Sequence, residues 1–148
     1  MIVEMTKTEK ILSEYGIIPT EMRLNIYKYL KRKRFAVSLS DIYNSFLKKS
    51  KSNKTANKTT FFRVVNIFLE KGIVHQINNG TGITKFAFSR VGNEDRKATD
   101  LHMHFYCTNC EETSCLPNSL PTGYLPKGYK TNEVNLILKG ICKKCIMK

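Results

Sequence analysis

Several absences narrow the field before any motif is read. No stretch of 18 or more apolar residues occurs in the 148 positions, which excludes a membrane-spanning helix. The first ten residues mix charges without an apolar h-region, so no export signal is expected and the chain is read as cytoplasmic. No Ser-His-Asp set, glycine-rich phosphate loop or pair of carboxylates in a cleft context can be picked out, which argues against an enzyme. There is no internal repeat. Acidic residues are scarce: 12 Asp and Glu stand against 25 Lys and Arg, for a net charge of +13. The imbalance is local, since residues 1–90 carry 17 basic and 6 acidic side chains, whereas residues 91–148 carry 8 and 6. A strongly basic half joined to a nearly neutral one suggests a polyanion reader joined to something else.

That second half holds all five cysteines. Four of them form two C-x-x-C pairs, Cys107-Thr108-Asn109-Cys110 and Cys142-Lys143-Lys144-Cys145. Two intervening residues let the chain turn back so that both sulfurs reach one ion, and two such pairs make a tetrahedral zinc or iron–sulfur knot. Disulfides are the alternative, but without an export signal thiolate ligands in a reducing compartment are favoured. The spacer of residues 111–141 exceeds the commonest zinc-ribbon spacing, so an element must fold back between the pairs. Cys115 is left over, as a free thiol or a ligand elsewhere. Just upstream, His102 and His104 are two apart and share one face of a strand, whereas Cys107 has the opposite parity. A second ligand set therefore begins where the first ends.

Read in order, the chain gives an α+β protein. Residues 6–15 form a short helix stopped by Gly16, and Thr20 caps a second one through Leu30, with Lys31-Arg32-Lys33-Arg34 at its end. Ser40-Asp41 start a third helix over Ile42–Leu47, and the lysine-rich stretch 48–58 is a loop. A fourth helix, Phe61–Lys71, ends at Gly72, with Phe61, Val64 or Val65, Phe68 and Leu69 facing inward. Two strands, 73–77 and 84–88, flank the turn Asn78-Asn79-Gly80-Thr81-Gly82. Helices followed by a hairpin, with a basic loop ahead of the last helix, describe a winged helix over residues 1–90. Residues 91–148 make a small α/β domain, with a polar hinge at 90–100 and strands at 101–107, 113–116 and 130–138. The proline- and glycine-rich crossing 117–128 has little helix signal.

The residues resemble the ferric uptake regulator superfamily of bacterial metal-responsive repressors over almost the whole chain. The likeness rests on Gly16, Thr20 and Arg23, on Ser40-Asp41-Ile42-Tyr43, on Thr59-Thr60-Phe61-Phe62-Arg63 and on Glu70-Lys71-Gly72-Ile73-Val74. It closes with His-x-His-x-x-Cys-x-x-Cys and Gly-x-Cys-x-x-Cys. The resemblance implies a homodimer whose carboxy-terminal sheet is continuous between subunits, with two winged helices on a palindromic DNA operator and no membrane partner. It also implies that Cys107, Cys110, Cys142 and Cys145 hold a structural zinc. His102 and His104 correspond to ligands of a regulatory site between domains, and His75 to a ligand on the first wing strand of zinc-sensing members. Cys115 stands where iron- and peroxide-sensing relatives place a carboxylate, and Asp95 matches an acidic ligand of iron sensors. The histidine that those sensors supply near position 36 is Ala36 here, which cannot coordinate, and the recognition-helix tyrosine is Phe62.

Three imidazoles and a thiolate make a soft, four-coordinate set that suits zinc better than Fe(II), so the regulatory metal is expected to be zinc, with iron or peroxide sensing as the alternative. Arg63 and Asn66 are expected at base edges, with Thr60 and Phe62 beside them, and Lys51, Lys54 and Lys58 at phosphates. Two readings from other classes compete. A thiol oxidoreductase would need a βαβ setting around its C-x-x-C, and no crossover helix is evident. A structural zinc module that binds RNA would be separated from a regulator by competition with duplex DNA carrying two half-sites.

Overall fold

A computed structural model describes residues 4–49, 58–89, 102–119, 125–130 and 136–148. The amino-terminal part is built from α1 (Lys7–Glu14), α2 (Glu21–Arg32), β1 (Val37–Ser38), α3 (Leu39–Lys49), α4 (Lys58–Glu70), β2 (Val74–Asn78) and β3 (Thr84–Phe88). Helix ends follow from local chemistry. Thr6 and Glu9 form a reciprocal capping box at α1, and Thr20 Oγ1 accepts the Arg23 N–H at α2. Gly16 and Gly72 both adopt φ +71°, and the amides of Ile17 and Ile73 reach back to the carbonyls of Leu12 and Phe68. Those bonds close α1 and α4 by the same left-handed glycine cap.

Helix α3 begins at Leu39, three residues before the Ile42 expected from the sequence. Ser38 donates from both its N–H (3.0 Å) and its Oγ (2.7 Å) to the Asp41 carboxylate, and the Asp41 N–H donates back to Ser38 Oγ. Ser38 thus ends β1 and caps the helix that starts at Leu39.

Helices α1, α2, α3 and α4 and the sheet β1-β3-β2 enclose one core. Phe61 and Phe68 of α4 are fully buried, as are Leu12, Ile26, Leu30 and Ile42. Each such side chain contributes about 1.5–3 kcal/mol by leaving water. Both Val64 and Val65 lie inside, so the inward face of α4 is wider than the single valine the periodicity required. The opposite face leaves Thr60, Arg63 and Asn66 exposed. This is a winged helix, with Asn78–Gly82 as the turn of its wing.

A second sheet, in the order β5-β4-β6, follows: β4 (His102–Cys107), β5 (Thr113–Ser119) and β6 (Ile137–Gly140), with the short α5 (Lys143–Ile146) after it. Strand β5 pairs antiparallel to β4, and β6 runs parallel to β4. Strand β5 continues through Pro117, past the expected end at residue 116; an edge strand tolerates a residue that has no N–H to donate. Of the strand expected over 130–138, Ile137 and Leu138 lie in β6, which runs on to Gly140, whereas Lys130 and Leu136 are not in a strand; residues 131–135 lie outside the described part. The boundary expected near residue 90 and the polar hinge behind it also lie outside the described residues. Where the two sheets meet, the Ala36 N–H donates to the Thr113 carbonyl at 2.7 Å, and Ile137 packs on Ala36, Ile77 and Ala87.

Candidate metal centres

The two thiol pairs converge because β4 and β6 are parallel neighbours. Cys107 ends β4 opposite Gly140 of β6, so the chain leaving each strand turns at the same end of the sheet. After Cys107 the chain makes a tight knuckle: the Glu111 N–H returns to the Cys107 carbonyl at 2.9 Å, and Glu111 itself takes φ +61°. That left-handed conformation is uncommon for a side chain other than glycine, asparagine or aspartate, and here it reverses the chain after Cys110. Cys142 sits at the start of α5, and one turn of that helix brings Cys145 beside it.

The sulfurs of Cys107 and Cys145 are 3.9 Å apart, and those of Cys110 and Cys142 are 3.8 Å apart. Zinc–sulfur bonds of ~2.3 Å in a tetrahedron set sulfur–sulfur edges of ~3.8 Å, so these thiols are spaced for an ion. All five cysteines are free thiols. Backbone amides of Cys110 (3.5 Å) and Cys142 (3.3 Å) donate to Cys107 Sγ and pull its thiol down to about 6. The Glu112 amide acts on Cys110 in the same direction, but desolvation and the sulfurs of Cys107, Cys142 and Cys145 outweigh it and push that thiol up to about 12. A Cys107 thiolate readily formed beside a Cys110 thiol that resists ionisation is what a divalent cation resolves, since it neutralises both together.

The second cluster joins the two parts of the molecule. His75 on β2 points toward the second sheet, and its Nε2 lies 3.2 Å from Nε2 of His104 on β4 and 3.4 Å from Sγ of Cys115 on β5. His104 and Cys115 are direct partners across the β4–β5 ladder, which is why a histidine and a cysteine eleven residues apart share one spot. All three donor atoms lie within 4.8 Å of one another. For a tetrahedral zinc with ~2.0–2.1 Å bonds to nitrogen, nitrogen–nitrogen edges are ~3.3 Å, and mixed nitrogen–sulfur edges are slightly longer. Two imidazoles and a thiol at 3.2 and 3.4 Å therefore fit the same ion. The set bridges the wing and the second sheet, with His104 buried and Cys115 accessible.

Ser89 belongs to this site although its sequence gave no hint. Its Oγ is 3.3 Å from Nδ1 of His75, on the ring edge away from His104. His75 pairs with Ala87 across the hairpin, and Ser89, two residues on, is the diagonal neighbour on the same face. A partner on one ring nitrogen fixes which nitrogen is presented to an ion. The strand register would have found it; sequence order alone could not.

Other expected site residues are placed unevenly. His102 opens β4 opposite Ser119, and a register irregularity on the β5 side separates that pair from His104 and Cys115. The side chain of His102 lies outside the described residues, as do Asp95, Lys51 and Lys54. Ala36 is buried at the junction of the sheets, held by its own N–H. Thr60, Arg63 and Asn66 are exposed along α4, and Phe62 is half-buried, its ring edge-on to Phe61. Lys58 stands at the amino end of α4 with its ammonium 5.7 Å from the centre of the Phe62 ring and 6.0 Å from that of Tyr43. Those rings hold the cation beside the exposed face of the helix.

Known proteins place this architecture. The profile of the ferric uptake regulator family matches residues 14–121. No curated protein matches the chain. Among solved structures, a zinc uptake regulator complexed with zinc and DNA superposes with a TM-score of 0.69 at 18% identity, covering 97% of each chain. The Vibrio cholerae ferric uptake regulator gives 0.62 at 20% identity, over 92% of this chain and all of that one. The Helicobacter pylori ferric uptake regulator, described as having three functional metal-binding sites, gives 0.62 at 13% identity, over 98% and 97%. At such identities these likenesses establish the fold.

Proposed function

The chain belongs to the ferric uptake regulator family, and from that premise we propose that it is a zinc-sensing regulator of transcription that binds a palindromic operator as a homodimer and controls metal-uptake genes. The observation that carries the metal assignment is the donor set His75, His104 and Cys115, with nitrogen and sulfur atoms 3.2 and 3.4 Å apart. Two imidazoles and a thiolate favour zinc over Fe(II), and no described residue adds a carboxylate to that cluster. His102 and Asp95 remain the proposed fourth ligands. The thiols of Cys107, Cys110, Cys142 and Cys145 hold a structural zinc, which ties the end of the chain to β4.

When bound at the second cluster, zinc supplies a cross-link between the wing and the sheet that carries the dimer. The residues do the rest. His75 belongs to the DNA-binding half, whereas His104 and Cys115 belong to the other, so a ligand shared among them favours one angle between the halves. Its effect on DNA affinity is limited to its differential affinity for that arrangement. In a dimer that angle sets the separation of two α4 helices, and so the operator half-site spacing. Arg63 and Asn66 read base edges, Thr60 and Phe62 lie beside them, and Lys51, Lys54 and Lys58 meet phosphates. The charge of the amino-terminal half suits that polyanion.

Zinc analysis coupled to operator binding tests the proposal. The purified protein should hold two zincs per chain, one removed by mild chelation. Restoring the labile zinc should tighten binding to duplex DNA at least tenfold. His104→Ala should keep the tight zinc and lose the response. A protein that tightens on DNA with Fe(II) or Mn(II) but not with zinc would refute the zinc assignment.

A further inference from the structure

Two polar side chains are buried almost completely where the wing meets the second sheet. Asn79 is 2% exposed and Thr113 is 0% exposed, and Asn79 Nδ2 donates to Thr113 Oγ1 at 3.0 Å. Burying an amide and a hydroxyl is costly unless they satisfy each other, so a pair of this kind is tolerated only where the surrounding packing holds it in place. Asn79 also accepts from the N–H (3.1 Å) and Oγ1 (2.6 Å) of Thr81, which sets the wing turn, so one side chain shapes the turn and grips the neighbouring sheet. Thr113 is gripped twice, since its carbonyl accepts the Ala36 N–H at 2.7 Å.

The position of this pair gives it meaning. Along β2 and its continuation, His75, Ile77 and Asn79 alternate onto one face; along β5, Thr113 and Cys115 do likewise. At one end of this facing pair of edges stand His75 and Cys115, at the other Asn79 and Thr113, with Ile77, Ala36 and Ile137 packed between them. The two ends cannot move independently, because the five-residue extended segment from His75 to Asn79 is stiff and both edges are hydrogen-bonded into sheets.

We propose that Asn79 and Thr113 form a metal-independent latch that holds His75 against His104 and Cys115, so that two residues that never touch the ion set the affinity of the second site. They are positioning residues. The inference rests on the reading of that cluster as a zinc site, and it adds that the site is assembled before zinc arrives. A site already in place does not spend binding energy on bringing its halves together, so loosening the latch weakens zinc binding.

The test uses the full-length protein carrying its Cys107–Cys145 zinc, with the labile zinc first removed. Thr113→Val keeps the shape of the side chain and removes the hydroxyl. We expect zinc affinity at the second cluster, read by competition with a chromophoric chelator, to fall by about 10-fold or more. Thr113→Ser should restore it, and the tight zinc should be unaffected. A second readout needs no zinc at that cluster. Amide hydrogen exchange at Ala36 should be slow in the wild-type protein and at least tenfold faster in Thr113→Val, while core amides of α4 keep their protection. Should Thr113→Val fail to fold, Asn79→Ala removes the other partner and is read the same way.

Unchanged zinc affinity in a folded Thr113→Val protein would overturn the proposal, and so would an unprotected Ala36 amide in the wild-type protein. If the wild-type protein takes up no second zinc, the sensor reading fails, and Ala36 exchange alone decides for or against the latch.

Discussion

At the scale of single residues, the candidate metal site is made of pairs brought together by strand register. His104 meets Cys115 because β4 and β5 are aligned there, and His75 meets Ser89 because the hairpin places them on one diagonal. Sequence reading named His75, His104 and Cys115 through a family likeness and the chemistry of their side chains. It missed Ser89, Asn79 and Thr113, whose side chains are common and whose roles exist only once strands are paired. Asp41 shows a residue-scale effect of another kind. Its carboxyl sits below the usual range chiefly because the Ser38 hydroxyl donates to it; burial opposes this as the next largest influence, and the Ser38 N–H and the charges of Lys85 and Lys33 add to the lowering. A carboxyl whose folded value is depressed contributes stability above its unfolded value and loses it as pH falls through the folded one. Asp41→Ala should therefore cost about 1 kcal/mol near pH 7, the usual worth of a helix cap. The gap between mutant and wild type in denaturant titrations should shrink as the pH is taken below about 4. A gap that stays constant with pH would show that the charge is irrelevant to the cap.

At the scale of elements, α4 divides its surface cleanly. Phe61, Val64, Val65 and Phe68 anchor it in the core, and Thr60, Arg63 and Asn66 form its open side. Truncating an open residue should leave folding intact and act on DNA alone. Arg63→Ala should weaken operator binding by about 1–3 kcal/mol and relax preference at a single base position, if it contacts a base edge. A loss spread evenly over all sequences, with a shallower salt dependence, would instead place Arg63 on a phosphate. Helices and the wing were legible because each carries its own punctuation: Thr20 before α2, Gly16 and Gly72 after α1 and α4, and two glycines in the turn. The early start of α3 was not, because Ser38 serves strand and helix together, and its reciprocal bonds with Asp41 are visible only once β1 is placed. Strand β5 ran on through Pro117 for a related reason. Proline forbids an interior strand but not an edge, and sequence does not say which strand is the edge.

At the scale of the whole molecule, two sheets meet at a junction that carries a candidate metal site at one end and a buried hydrogen bond at the other. Composition had already separated a basic half from a cysteine-bearing one. The junction itself was illegible, since it joins residues as distant as Ala36 and Thr113 through main-chain atoms. The parallel pairing of β4 and β6 has a further consequence, in polymer terms. Cys110 and Cys142 are neighbours in space but enclose about 30 residues of chain, and clamping the ends of such a loop removes about 3–4 kcal/mol of freedom from the unfolded chain. With an ion bound, the four thiols would work as a topological rivet, acting more on the disordered ensemble than on the native contacts. Cys142→Ser should therefore lower the stability of the second sheet by about that amount, measured by guanidinium unfolding followed at a probe on β4. The winged helix, whose core contains no cysteine, should unfold at an almost unchanged midpoint, so that one cooperative transition splits into two.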